Sequence, residues 1–466
     1  MPEIQVPIVR GDKLNAQTDY RDFMPKNMLA IPKEIRGAQG YLISHPGVKR
    51  LMTASGPCRG SFFNDRLGKL FQVSGNKLIT VDSAGSYSTV GTINGSGQCS
   101  MPYSFQSQLV ISGGNVYRYA GGTLTLLTDA DFGRPIDGDW IDGYYFFTDG
   151  EYLYHTLLAD ETQVAPTDYA VAEIMPDKSL GNMRTPDDLM MVFGRYSTEF
   201  FQNDGSTNFA FSRIAQKSLE IGICGTHCKT RVAGGVFILG SRRYESPGIY
   251  TIGAGDAQLL STPTINDYLQ SLSDAELAQS VLEARTDGDT QLLIVRLPQK
   301  TYALNLTALK LIGVDNSWSE LSTGVDGDPW IACNGAYHPL LAKWVYGSTT
   351  DGAIYALDYT SAAQDGEYTE CEFKTPLVYA PSVRIGLIEL NTITGFESSN
   401  TNVFISVSDN GVTDSSEYVQ LYGEAGNYNT RFVAFGFGYF NQQFSIKCRA
   451  LTKDRVNFSG LKVRYG

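Results

Sequence analysis

Leu70-Phe71-Gln72-Val73, then Ser74-Gly75-Asn76, then Lys77-Leu78-Ile79-Thr80-Val81 is a short apolar strand, a turn and a second apolar strand. β-Branched and aromatic residues favour extended chain, while Gly and Asn are what tight turns demand. One hairpin decides little, but this one recurs. Leu109-Val110-Ile111, Ser112-Gly113-Gly114 and Asn115-Val116-Tyr117-Arg118-Tyr119 repeat it, as do residues 144–148, Asp149-Gly150 and Glu151-Tyr152-Leu153-Tyr154. Four looser copies follow, with second strands around Phe200, Tyr250, Ala303 and Tyr355. The central residues Ile79, Tyr117, Leu153, Phe200, Tyr250, Ala303 and Tyr355 are spaced by 38, 36, 47, 50, 53 and 52 residues. Hairpins at a period of roughly 40–50 residues point to β-propeller blades, small antiparallel sheets that must stack around an axis to bury both faces. The drifting period leaves six or seven blades open, and a β-rich chain with ordinary hairpins is the plainer alternative.

Composition agrees with an all-β chain. Of 466 residues, 42% are hydrophobic, enough for a sizeable core, and 48 Gly, 27 Tyr and 23 Phe favour short strands and tight turns. Residues 264–285 break the pattern and read as helix, with Ile265, Leu269, Leu272, Leu277, Val281 and Leu282 on recurring faces. Ser273 and Glu276 make a capping box at the start of its second half. Such an insertion between blades serves either as an assembly contact or as a patch on the propeller edge. Beyond Gly366 the texture changes again. Phe404-Ile405-Ser406-Val407-Ser408 precedes an Asn410-Gly411 hairpin signal, and residues 431–437, 444–450 and 456–465 alternate as strands. The expected organisation is an N-terminal extended segment over 1–50, a propeller over 51–366 and a β-sandwich-like domain over 367–466.

The charge balance excludes one class of function. With 37 Lys and Arg against 49 Asp and Glu, the net charge is −12, and no basic footprint for gripping nucleic acid is present. The seven cysteines, Cys58, Cys99, Cys224, Cys228, Cys333, Cys371 and Cys448, are scattered and odd in number, which reads as reduced thiols. The N-terminus shows no basic region followed by an apolar run, so no signal peptide is expected. The longest apolar runs, such as 189–193 and 236–239, fall far short of the ~20 residues a membrane helix needs. Together these predict a soluble chain made in a reducing compartment.

Chemistry is thinly declared. Cys224-Gly225-Thr226-His227-Cys228 is the one compact set of possible metal ligands, but no second Cys or His pair completes a tetrahedral site. Small-residue packing at a strand turn is the alternative. Asp137, Asp139 and Asp142 cluster around Trp140, and Asp326 and Asp328 precede Trp330. Acid–Trp neighbours can line a sugar site, yet Asp is equally what inter-strand turns require. Asn94, Asn305 and Asn457 head glycosylation-type triplets, which are chance matches without secretion. Catalytic, cofactor-binding and metal residues are therefore all expected to be none.

One resemblance runs along almost the whole chain. Asn27-Met28-Leu29-Ala30-Ile31-Pro32-Lys33-Glu34, Gly40-Tyr41-Leu42 and His45-Pro46-Gly47-Val48 resemble the start of the tail accessory factors of short-tailed bacteriophages, also called packaged-DNA stabilisation or tail nozzle proteins. The match continues at 222–230, at Ile249-Tyr250-Thr251-Ile252-Gly253-Ala254-Gly255, over 272–298, and at 451–464, with 67–181 the most divergent region. The resemblance implies a virion tail protein, made in the host bacterial cytoplasm and present as a homo-hexameric ring. It would dock below the head-to-tail adaptor, meet a tail needle, be flanked by tailspikes or fibres, and keep the packaged genome from leaking. It implies no catalytic residues. An acidic lumen would let DNA slide through without sequence-specific binding, and aromatics could serve subunit interfaces. Two other readings remain: a receptor- or glycan-binding tail component using Asp139, Trp140, Asp328 and Trp330, and a cytosolic propeller scaffold unrelated to viruses.

Overall fold

The computed structural model describes residues 2–15, 19–33, 40–158, 160–171, 177–253, 255–396 and 401–466. Glu34 and Ala254 of the quoted motifs lie outside the described residues.

Seven antiparallel sheets succeed one another around a ring. Blade 1 is Cys58–Asn64, Lys69–Ser74, Lys77–Val81 and Tyr87–Thr92. In blade 2, bridges from Ser100 and Tyr103 supply the inner edge of Gln108–Ser112, Asn115–Ala120 and Thr123–Leu126. Blade 3 is Asp137–Ile141, Tyr144–Thr148, Tyr152–Leu157 and Asp160–Val171. Blade 4 is Gly181–Arg184, Met190–Phe193, Thr198–Asn203 and Phe211–Arg213. In blade 5, Gly222–Ile223 and Lys229–Val232 share the inner edge of Gly235–Ser241, followed by Gly248–Gly253 and Asp256–Leu259. Blade 6 runs Val281–Asp287, Thr290–Arg296, Thr301–Asn305 and Trp318–Thr323. Blade 7 is Ala332–His338, Lys343–Ser348 and Ala353–Asp358, and its outer strand is Gly47–Thr53 from the other end of the chain. The seven central residues read from sequence all fall on the third strands of these seven blades.

Those hairpins are legible because both faces of each middle strand are buried. In Lys69–Ser74, Phe71 and Val73 pack with Val110, Tyr117 and Tyr119 of blade 2. Leu70, on the opposite face, packs with Ala336, Val345 and Ile354 of blade 7. Side chains alternate across a strand, so a strand wedged between two neighbours needs apolar residues at every position. Comparable clusters join blades 2 to 3, 3 to 4, 4 to 5 to 6, and 6 to 7.

The helical reading of 264–285 is corrected in its second half. Pro263–Ser271 and Asp274–Leu277 are helical between blades 5 and 6, and Ser273 and Glu276 form the reciprocal capping box. Residues 281–285 instead begin the inner strand of blade 6, with Val281 opposite Arg296 and Leu282 N–H donating to His227 O at 3.0 Å. Val281, Leu282 and Ala284 satisfy either period over so short a span, and pairing with Thr290–Arg296 decides for the strand. The Asn410-Gly411 hairpin signal is also corrected. The strand Asn402–Ser408 returns only at Tyr418–Leu421, because Asn410 Oδ1 accepts from Val412 N and Thr413 N inside a longer loop.

The second body is a sandwich of two sheets. One holds Met28–Ile31, Tyr41–Ser44, Asn457–Tyr465, Val383–Thr392 and Phe432–Phe440, with Glu3–Val6 added beside Asn457–Tyr465. The other holds Thr369–Lys374, Gln443–Thr452, Asn402–Ser408 and Tyr418–Leu421. Their facing side chains, among them Met28, Leu42, Phe373, Ile388, Ile405, Phe432, Ile446 and Leu461, form one core. The N-terminal chain thus supplies three strands to the sandwich before closing the propeller. Asn27 stitches the two bodies together: its Nδ2 donates to Ser322 Oγ at 2.9 Å in blade 6 and to Glu370 O at 2.8 Å in the sandwich.

Candidate functional site

Propeller blades converge at their first strands, and here those strands line an axial channel. Along it a cavity of about 670 Å³ is bounded by Phe62, Tyr103, Asp139, Trp140, Arg184 and Lys229 among others, and a second opening toward Arg59, Arg134 and Arg296 shares Gln98 and His227 with it. Neighbouring first strands run side by side without a continuous backbone ladder, so side chains must satisfy their edges. Asp137 does this across four blades. Its Oδ1 accepts from Ser100 Oγ at 2.6 Å, and its Oδ2 from Asn182 N at 2.9 Å and Lys229 Nζ at 2.7 Å. Asp139 Oδ2 accepts from Arg184 N at 2.8 Å. Glu283 repeats the device between blades 6 and 7, accepting from Asn334 N and Gly335 N, both at 3.0 Å. Arg59 Nε donates to Gly97 O at 2.8 Å between blades 1 and 2.

The acid–Trp clusters therefore come apart. Asp137 and Asp139 are engaged in holding blades together, and desolvation raises the Asp139 pKa against the pull of the Arg184 and Trp140 N–H groups. Asp142 sits in the following turn at φ 51°. Trp140 stays in the channel, edge-on to Phe105 at 4.9 Å, with the Arg184 guanidinium 6.0 Å from its ring centre. Phe105 is 58% exposed, and the Arg66 guanidinium lies 4.7 Å over it. Asp326 and Asp328, by contrast, are exposed at the outer strand of blade 6, while Trp330 is buried against His45 and Tyr346. The two Trp neighbourhoods do not form one site.

The Cys224–Cys228 cluster is a packed turn. Cys228 Sγ donates to Leu277 O at 3.5 Å and to Ser280 O at 3.4 Å, tying blade 5 to the helical insertion. Burial pushes the Cys224 thiol up to about 11 and Cys228 higher still, as packing in an apolar turn does. Among the described residues no three His, Cys, Asp or Glu side chains are grouped to hold a metal ion. Asn305 has a backbone role unseen in sequence: its Oδ1 caps the helix Leu306–Ile312 through Thr307 N and Ala308 N.

His227 is the channel group whose titration matters. Desolvation, helped by Lys229 and Arg296 and opposed by Asp137, lowers its pKa to about 4. The folded state thus holds the imidazole neutral while the unfolded chain takes up a proton near pH 6.5, so stability is present above that pH and lost as pH falls toward 4. Allowing for partial exposure, His227 accounts for about 2 kcal/mol over this window. Urea unfolding from pH 7 to pH 4 is expected to show this decline, and His227→Gln to flatten it in part. His45 and His155 are also held low by burial and keep the remaining slope.

Comparison with known proteins matches this architecture end to end. The family model described as bacteriophage P22 Gp10, beta-propeller, matches residues 4–362, and that described as bacteriophage P22 Gp10, beta-sandwich, matches 370–466. The tail hub protein gp10 of Salmonella phage P22 is 29% identical over 485 residues, covering 100% of both chains. Among solved structures, the N-terminal domain of Nup159 is similar at 8% identity and a TM-score of 0.43, covering 72% of this chain and 98% of that one, a likeness too low to carry an argument. With both of its bodies matched in order, this chain belongs to the P22 Gp10 family, the tail nozzle and stabilisation proteins of short-tailed phages, and is a structural protein of a phage tail.

Proposed function

We propose that the chain assembles as a homo-hexameric ring below the head-to-tail adaptor, where it extends the DNA exit channel, receives a tail needle and retains the packaged genome. The observation that carries this reading is the full-length correspondence, across both bodies, with a protein named a tail hub. Two features support it. The carboxylates that a catalytic propeller would free for chemistry are here committed to joining blades. The sandwich presents exposed aromatics on its strand Phe432–Phe440, with Phe435 64% and Tyr439 60% exposed, as assembly contacts require. A net charge of −12 suits a conduit that DNA crosses without being held.

The test is genome retention. Particles assembled without the protein are expected to package DNA and then empty, counted as filled and empty heads by electron microscopy. Heads that stay full but fail to bind cells would sink the nozzle reading in favour of receptor binding. That second reading has one observation behind it, the Trp140, Phe105 and Arg66 group at the channel mouth. Trp140→Ala is expected to leave ring assembly and genome retention intact; abolished glycan binding by this variant would favour the receptor reading.

A further inference from the structure

Where blade 6, the N-terminal chain and the sandwich meet, cationic and neutral donors gather without enough acceptors. Arg285, on the inner strand of blade 6, is 0% exposed, and none of Nε, Nη1 or Nη2 makes a well-aligned hydrogen bond, the neutral Tyr346 hydroxyl being its one uncharged side-chain partner among the described residues. Among the described residues its one carboxylate partner is Asp287, with Oδ2 2.9 Å from Nε, and that carboxylate also accepts from Tyr359 Oη at 2.6 Å. Arg455 comes from the turn before the last sandwich strand, and its buried Nη1 lacks a partner as well. Ser44 N donates to Val456 O at 2.9 Å, which sets His45 beside Arg455. Both His45 ring nitrogens are buried and make no well-aligned hydrogen bond, with the Pro46 backbone close by. Trp330 packs edge-on to that imidazole at 5.2 Å, and its Nε1 has no acceptor.

A buried guanidinium with too few acceptors bears much of the desolvation cost of its charge. The local balance is two guanidiniums against one carboxylate. Burial, with the repulsion of both arginines, keeps His45 neutral. Tyr346 and Tyr359 are pushed up by burial, and Cys371 to about 12, so none supplies negative charge. Glu283, the carboxylate two positions before Arg285, is engaged by Arg296. Burial and the proximity of Arg285 lower Arg455 to about 10, still charged at neutral pH. One positive charge is left over, shared between the fully buried Arg285 and an Arg455 that is partly exposed.

We propose that a small monovalent inorganic anion of the chloride class binds between Arg285 and Arg455, with His45 as a neutral donor beside it, and locks the N-terminal chain against the propeller and the sandwich. A ligand held by the folded state alone stabilises it by mass action. The unfolding temperature of the full chain is therefore expected to rise by roughly 2 °C per tenfold increase in chloride above its Kd when chloride replaces gluconate at constant ionic strength. Crystals soaked in bromide are expected to show an anomalous peak between the two guanidiniums. Arg455→Met is expected to abolish the chloride dependence. An unchanged midpoint on exchanging the anions, or bromide absent from the site, overturns the proposal and leaves water as the occupant. So does an Arg455→Met protein that keeps the wild-type chloride response. Should that variant fail to fold, the anion exchange and the bromide soak on the unaltered chain still decide.

Discussion

A chain lacking residues 2–53 is expected to yield no folded protein. Deleting this segment removes Glu3–Val6, Met28–Ile31 and Tyr41–Ser44 from one sandwich sheet and Gly47–Thr53 from blade 7. Six large side chains leave the cores with it: Val6, Ile8, Met28, Leu29, Leu42 and Val48, each at most 5% exposed. Full burial of such side chains is worth about 1.5–3 kcal/mol each, so the loss is on the order of 9–18 kcal/mol. Net stabilities of about 5–15 kcal/mol cannot absorb that. Losing the outer strand also opens the edge of Ala353–Asp358, an invitation to aggregation. Size-exclusion chromatography and far-ultraviolet circular dichroism check this. A monodisperse species with the full-length β spectrum would mean that the propeller closes by another route.

The same segment shows where sequence reading stops. Phe71, Val110, Phe146 and Ile294 announce their strands because two neighbouring blades bury both faces, leaving continuous apolar runs. First strands carry no such mark. Ser100-Met101-Pro102-Tyr103, Asp137-Gly138-Asp139-Trp140 and Gly181-Asn182-Met183-Arg184 line a channel, so their polar side chains pair with the next blade and not with a core. The closing strand is invisible for another reason. Gly47–Thr53 pairs with Ala353–Asp358 some three hundred residues away, and nothing local records such a partner. For the candidate site, the legible part was the chemistry of single residues. That Asp137 and Asp139 are strand-joining groups, and that Trp330 lies in a core far from Trp140, depends on which strands become neighbours. Asn305 was legible only as a triplet, since a cap shows itself by the helix that follows, and Leu306–Ile312 is too short to stand out.

The convergence of four blades on one carboxylate makes Lys229→Met the most damaging single substitution expected in the channel. Asp137 is 3% exposed and has Lys229 Nζ as its cationic partner at 2.7 Å, and Lys229 also donates to Thr226 O at 2.6 Å. Removing the ammonium leaves a buried carboxylate with only neutral donors, at a cost of about 3–5 kcal/mol. Asp137→Asn keeps the shape but strands the ammonium, and it turns one acceptor toward Ser100 or Asn182 into a donor, for a loss of about 3 kcal/mol. The double variant removes both charges together. Its cost is expected to fall short of the sum of the single costs by about 2–3 kcal/mol, the coupling energy of groups in one network. Urea unfolding midpoints of the four proteins at pH 7 give the cycle directly. A Lys229→Met loss under about 1 kcal/mol would show that channel water solvates Asp137, as it does for surface pairs. Additive single costs would show that Ser100 and Asn182 hold the carboxylate without the ammonium. A large coupling places the stability of the ring in its axis, where the blades have charged side chains in place of a backbone ladder.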